Sequence, residues 1–211
     1  MMHLNYNGFK TTNFIYAIEN TSISDSEMHH INQFKSGNKI KDRISEITSK
    51  GGQFKFKTLE NEVFKNNLIL IDSLLPNVIS EMILLFFISN SSSIKTLCQE
   101  VSKSNPLNFD NQNSHAFYEY KIKRFLKVIA LGMEPSKVWL GEHNEPEGYL
   151  IAHQNGDLTY SNRYNGNQFE DYLFNNAHFE TSSTTKNEFG SIYTNADNEL
   201  FLKLNLQIRL N

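Results

Sequence analysis

Cysteine is almost absent from this chain. Cys98 stands alone among 211 residues, so no disulfide can form within the chain and a packed core must carry its stability. That usage fits a reducing compartment, and a cytoplasmic location is expected. A basic-then-apolar leader is missing from the opening MMHLNYNGFKTTN. A long apolar run is missing too. The nearest approach, LLPNVISEMILLFFIS, is broken by Pro76, Asn77 and Glu81. It is too short and too polar to span a bilayer, which predicts a core helix and no membrane partner. Positive charge is not in excess: 20 Lys and Arg stand against 23 Asp and Glu, for a net charge of -3. Global charge therefore gives nucleic-acid binding no support, and any such binding needs a local basic surface. The phosphate loop, the G-x-G-x-x-G turn and the G-x-S-x-G elbow do not occur. No two histidines stand four apart and Cys98 has no cysteine partner, which argues against a zinc site. No repeat and no long linker divides the chain, so one domain over 1–211 is the expectation.

Hydrophobic residues make up 39% and aromatic residues 12%, enough for a folded globular protein rather than a disordered one. TNFIYAI (12–18) reads as a strand from its β-branched and aromatic content. SDSEMHHINQF (24–34) reads as a helix capped by Ser24 or Asp25. KIKDRISEITSKGG (39–52) sets Ile40, Ile44 and Ile47 at helical spacing, and Gly51-Gly52 stops it. QFKFKTL (53–59) alternates with period two, as a strand does. Residues 60–104 are mostly helical, with Pro76 opening one helix and SNSSS (89–93) separating it from the next. NPLNFDNQNS (105–114) is a loop. HAFYEYKIKRFLKVIALGM (115–133) is the longest helical pattern, with Phe117, Phe125, Val128 and Ile129 on one face and Gly132 and Pro135 ending it. The last third turns to β structure. Asn155-Gly156 lies between two alternating runs (148–162), a strong hairpin signal. NQFEDYLFNN (167–176) is a short helix, and 191–210 forms a second hairpin turning near 196–198. The class is α+β, with a helical middle section and β-hairpins in the C-terminal third.

Two stretches could carry chemistry. The closing run LFLKLNLQIRLN alternates Leu202, Leu204, Leu206, Ile208 and Leu210 with Lys203, Asn205, Gln207 and Arg209. Lys and Arg match guanine edges in the DNA major groove, and Asn and Gln match adenine. Strand geometry repeats such side chains every 6–7 Å or so on one face. An amphipathic strand with one solvated face gives the same pattern and is the commoner case. On the helix from 115, Lys123, Arg124 and Lys127 gather on one flank, a cationic stripe that could neutralise phosphates. A solvated helix face is again the commoner origin. Glu119-Tyr120-Lys121 has the Glu-x-Lys order of a metal-dependent nuclease. On a helix, though, residues two apart point about 200° from each other, so the pair does not converge. Asp110 adds a nearby carboxylate without a specific spacing.

In order along the chain, TTNFIY, KIKDRI, NNLILIDSLLP, FYEYKIKRFLKVIALGM, VWLGEH, FEDYLFNNAHFETSST and LFLKLNLQIRL resemble the C-terminal portion of the HpaII-type restriction endonucleases. The resemblance runs over essentially the whole chain. Its most specific pieces are the ALGM helix end and the K-L-N-L-Q-I-R terminus. It implies a type II restriction enzyme with a PD-(D/E)xK-like, Mg²⁺-dependent nuclease core. Such an enzyme cuts double-stranded DNA at a short G·C palindrome, CCGG for the founding member. Family members extend further at the N-terminus. Their catalytic element, Ser-Asp-Ile followed by a strand like F-S-I-K-S, precedes the stretch matching residues 5–16, and neither piece occurs here. No catalytic residue and no metal ligand is therefore carried over to this sequence. The resemblance leaves a nuclease or its C-terminal remnant, or a non-catalytic DNA-binding subunit completed by a separately encoded N-terminal half. A protein with no DNA contact is a third reading. Lys203, Asn205, Gln207 and Arg209, with Lys123, Arg124 and Lys127, are the expected DNA-facing set, and Arg209 is the expected guanine reader. A palindromic target suggests a homodimer. The strand at TNFIY is expected to miss its core partner and to leave an unprotected edge.

Overall fold

The computed structural model describes residues 9–110, 112–141, 148–152, 156–162, 166–181, 183–184, 189–205 and 207–210. Within them lie seven helices: α1 (Asp25–Asn32), α2 (Lys39–Ser49), α3 (Glu62–Ile71), α4 (Leu75–Ile88), α5 (Ile94–Ser104), α6 (Phe117–Ala130) and α7 (Gly166–Asn176). Nine strands accompany them: β1 (Phe9–Lys10), β2 (Phe14–Glu19), β3 (Gln53–Leu59), β4 (Gly148–Ala152), β5 (Leu158–Asn162), β6 (Ala177–Glu180), β7 (Ile192–Thr194), β8 (Leu200–Leu204) and β9 (Gln207–Leu210). The α+β class, the helical middle and both C-terminal hairpins agree with the sequence reading.

Local chemistry explains the helix ends. Ser24 caps α1 in a capping box, its hydroxyl taking the Glu27 amide while Glu27 reaches back to the Ser24 amide. After α2 the chain turns through Gly51 at φ +86°, and the Gly52 amide donates to Ile47 O at 3.0 Å. A Cβ on Gly52 would come within 2.5 Å of Ile47 Cγ2, so both glycines are fixed by the stop. Pro76 sits in the first turn of α4, where its missing N–H costs no bond. That helix buries Leu75, Val78, Ile79, Met82, Ile83 and Phe87 and forms the centre of the core. Among the described residues no single helix is long and apolar enough to cross a membrane. The chain turns by 110° between α3 and α4.

The strands form a four-stranded sheet, order β3-β2-β8-β7, a three-stranded sheet, order β1-β9-β6, and the separate hairpin β4-β5. All pairs are antiparallel. Phe14, Tyr16, Leu202 and Leu204 are fully or almost fully buried on the inner face of the larger sheet. Phe14 meets Phe64 of α3 edge-on at 6.5 Å, and the Tyr16 hydroxyl donates to the Ser80 carbonyl of α4 at 2.7 Å. The smaller sheet packs on the same helices, with Phe9 edge-on to Phe125 at 5.9 Å and Phe86 edge-on to Phe179 at 5.8 Å. Burial of each such side chain stabilises the fold by roughly 1.5–3 kcal/mol.

Two expectations are corrected here. The TNFIY strand has no free edge: β2 is paired along both sides, by β3 and by β8. The outer strands are β3 and β7, and β3 exposes Lys55 and Lys57, charges that discourage edge-to-edge pairing. The closing run is also not one strand. It belongs to the larger sheet as β8, leaves it at Asn205, and joins the smaller sheet as β9. The start of the chain makes the same crossing beside it in the opposite direction, from β1 to β2. A strand that changes sheets breaks its ladder and must find other partners for its polar groups.

Candidate nucleic-acid interface

Those partners are the polar residues of the crossing. Asn205 is 5% exposed. Its Oδ1 accepts from the Thr11 hydroxyl at 3.0 Å, and its Nδ2 donates to Asn13 Oδ1 at 2.8 Å. Asn13 Nδ2 continues to Glu60 Oε2 at 2.6 Å, and Lys203 Nζ donates to Glu60 Oε1 at 2.5 Å. The Lys203 contact is the main reason the Glu60 carboxyl titrates below its ordinary range. Lys203 also lies over the Tyr193 ring at 5.3 Å. The predicted row of four is therefore split rather than continuous along one face. Asn205 points into the interior and is already hydrogen-bonded. Lys203 belongs to one sheet, and Gln207 and Arg209 to the other. Gln207 is half-buried opposite Lys10 and Glu180. Arg209 Nε stands 2.7 Å from Glu180 Oε2, an ion-pair contact whose angle falls short of a hydrogen bond.

The cationic flank of α6 is likewise committed. Lys123 Nζ lies 2.5 Å from Glu119 and 2.6 Å from Asp171 of α7. Burial alone would push the Lys123 pKa down, and the bonds from Asp171 and Glu119 carry it above the ordinary value. Lys127 lies 3.5 Å from Glu170 of α7. Both lysines thus join α6 to α7 rather than forming a free stripe. Arg124 is exposed, with its Nη1 donating to the Tyr120 hydroxyl at 3.2 Å. Glu119 and Lys121 face different partners, since Lys121 pairs with Asp72 and Glu119 with Lys123. Asp110 accepts from the Gln112 amide in a local turn. Among the described residues no three His, Cys, Asp or Glu side chains converge as metal ligands.

A different part of the surface sets two lysines against neutral side chains of the described residues. The start of α2, the 89–92 loop after α4, and Thr181, Ser183 and Thr184 after β6 line a cleft of about 590 Å³. Its apolar floor is Ile40, Phe86 and Phe87. Lys39 Nζ crosses it to Thr184 Oγ1 at 3.0 Å, and Lys41 Nζ reaches Asn90 Oδ1 at 3.1 Å. The 89–92 loop is held in place by Ser92, whose carbonyl accepts the Phe179 amide of β6 at 2.8 Å. Behind the cleft, the buried Arg43 guanidinium fixes the α1–α2 turn. Its Nε donates to Ile31 O at 3.2 Å and its Nη2 to Asn32 O at 2.5 Å, while Nη1 donates to Gly190 O. Burial lowers its pKa from the ordinary arginine value. The sequence reading passed over Lys39, Lys41 and Arg43. Lys-Ile-Lys at the head of a helix was the visible signal, but the neutral acceptors it meets lie 49 and 145 residues away.

Comparison with known proteins settles the kinship. Residues 2–210 match the model of the HpaII restriction endonuclease family. The chain belongs to that family. The type II restriction enzyme HpaII of Haemophilus parainfluenzae is 41% identical over 203 residues, which cover 96% of this chain and 55% of that enzyme. The chain thus spans a little over half the length of the curated HpaII enzyme it matches. No solved structure matches it. The mixed α/β architecture, with seven helices and antiparallel sheets among the described residues, is consistent with a restriction-endonuclease-like fold for this HpaII-family chain.

Proposed function

We propose that this HpaII-family chain acts in type II restriction, on double-stranded DNA carrying a short G·C palindrome such as CCGG. The observation that carries this reading is the 41% identity to a type II restriction enzyme over 96% of the chain. Phosphodiester hydrolysis dependent on Mg²⁺ is the chemistry expected of this family. The described residues do not fit such a metal, since no carboxylate cluster forms among them, and no hydrolytic step is assigned to them. Their part is to supply the folded platform and the DNA-facing surface. A two-fold target is matched by a two-fold pair of protein chains, so a symmetric assembly on the site goes with this reading, as does an intracellular setting.

Anisotropy titration of the full chain against a labelled CCGG duplex and a scrambled duplex of equal composition tests the proposal. Tighter binding to CCGG at 0.15 M salt is expected. Equal affinity for both duplexes would remove the specificity. Incubation with Mg²⁺ and plasmids with and without CCGG then reads cleavage directly, and cutting of the site-free plasmid would count against a restriction role.

A further inference from the structure

We infer that the cleft between α2, the 89–92 loop and Thr181, Ser183 and Thr184 is a seat for the phosphate backbone of DNA, with Lys39 and Lys41 as its charge-bearing contacts. The inference deepens the reading of the chain as a DNA-acting protein and rests on it. Three observations converge on this cleft.

The first is charge accounting. Of the basic residues expected to face DNA, Lys203, Arg209, Lys123 and Lys127 each lie at a carboxylate. Binding a phosphate there would mean giving up an existing ion pair, so little is gained. Lys39 and Lys41 differ. Their ammonium groups meet a threonine hydroxyl and an asparagine carbonyl. Among the described residues neither has a carboxylate within ion-pair distance, and no Asp or Glu lines the cleft. Among the described residues neither ammonium group is thus tied up in an ion pair, and each can displace condensed counterions from DNA.

The second is the lining. Serine, threonine and asparagine side chains supply most of the wall opposite the lysines. Hydroxyl and amide donors with Lys are the groups that hold phosphate oxygens in protein–DNA contacts. The volume of about 590 Å³ is far larger than one phosphate group and takes a stretch of sugar–phosphate chain, with the apolar floor beneath the sugar.

The third is rigidity. Arg43 fixes the turn before α2 through main-chain carbonyls, and the Ser92 carbonyl ties the opposite wall to β6. The two walls are thus held at a set distance before any ligand arrives, which lowers the ordering cost of binding. At the start of α2, Asn38 makes no side-chain cap bond, the Lys39 amide donates to Ser36 O at 3.1 Å, and Asp42 of the same turn accepts from the Ser36 hydroxyl.

Backbone contact predicts a loss that ignores base sequence. The test is the double variant Lys39→Gln/Lys41→Gln, which removes both charges and keeps a polar donor at each position. The control is Lys65→Gln/Lys103→Gln, an equal charge change at lysines already paired with Glu62 and Glu100. Binding to CCGG and scrambled duplexes is followed across a salt series, and a thermal melt checks folding. The cleft variant should reduce the slope of log K against log salt by roughly one to two and weaken binding on the order of tens-fold at 0.1 M salt, equally for both duplexes. The control should leave the slope alone. An unchanged slope in the cleft variant, with wild type binding DNA, would overturn this inference and spare the restriction reading. Loss confined to the CCGG duplex would make the lysines base readers and overturn the phosphate assignment. If inorganic phosphate binds the wild-type cleft by calorimetry while the duplex slope is unaffected by the variant, the site serves a small anion instead. Wild type binding neither duplex at low salt would sink the DNA reading and this inference with it.

Discussion

Replacing Asn205 with Leu separates a structural tail from a DNA-reading one. The side chain is 5% exposed and holds two hydrogen bonds, from Thr11 at 3.0 Å and to Asn13 at 2.8 Å. Leu keeps the same branched four-atom shape, with bulkier methyl groups in place of the amide oxygen and nitrogen. What it removes is one acceptor and one donor inside the crossing between the two sheets. Orphaning a buried polar group costs about 1–3 kcal/mol. The Thr11 hydroxyl can rotate toward another acceptor and the added methyl groups bring some apolar burial, which together hold the sum to about 2–4 kcal/mol. For a chain of this length that is a fall in Tm of roughly 4–16 °C. Urea unfolding followed by circular dichroism gives the same quantity from a shift of midpoint at constant slope. The paired variant Thr11→Val/Asn205→Leu should recover part of the loss, because both partners become apolar together, with a coupling of about 0.5–3 kcal/mol. Affinity for DNA per folded molecule should not move. A stability loss under about 0.5 kcal/mol, or unaltered stability with DNA binding abolished, would refute the assignment of Asn205 to the interior.

Lys123→Met removes the partner of both Glu119 and Asp171 between α6 and α7. With the lysine side chain one-fifth exposed, solvent screening limits the cost to about 1–2 kcal/mol, read by chemical denaturation; a neutral result would show that these ion pairs do not hold the two helices. Cys98 is 1% exposed, and burial, with Glu119 nearby, pushes its thiol up to about 12. Iodoacetamide at pH 8 should leave it unmodified by mass spectrometry until denaturant is added; native alkylation within minutes would contradict the burial. Hydrogen bonds from Lys50 and Ser24 hold the Glu27 carboxyl at about 2. Its folded pKa is lowered, so its contribution is present above the ordinary carboxylate range and is lost as pH falls toward 2. A carboxyl titration by NMR should show this, and Lys50→Gln should raise the midpoint; a midpoint near 4.5 in the wild type would remove the interaction.

Sequence alone determined most of the secondary elements, those written in local chemistry; the short strands β1 and β6 and the break between β8 and β9 were not among them. The Ser24–Glu27 capping box, the Gly51-Gly52 stop, the 3.6-residue spacing of Ile40, Ile44 and Ile47 and the alternation of QFKFKTL act within a few residues of themselves. Family membership was legible for the same reason, as an ordered string of local words. The fate of the closing run was not local. Alternation gives which residues share a face of a strand, but it carries no mark of where that strand leaves one sheet for another. Asn205 looks like its neighbours Lys203 and Gln207 until Thr11 and Asn13, more than 190 residues earlier, arrive beside it. Charge is undecidable in the same way. A lysine's effective charge depends on whether a carboxylate is brought within reach, and only the packing of α6 on α7 spends Lys123 and Lys127 on Asp171 and Glu170. Packing of α2 beside the 89–92 loop and Thr184, by contrast, leaves Lys39 and Lys41 facing neutral oxygens. Tertiary structure alone decided which cations remain available, because Coulomb energy depends on distance through space and the chain order does not record it.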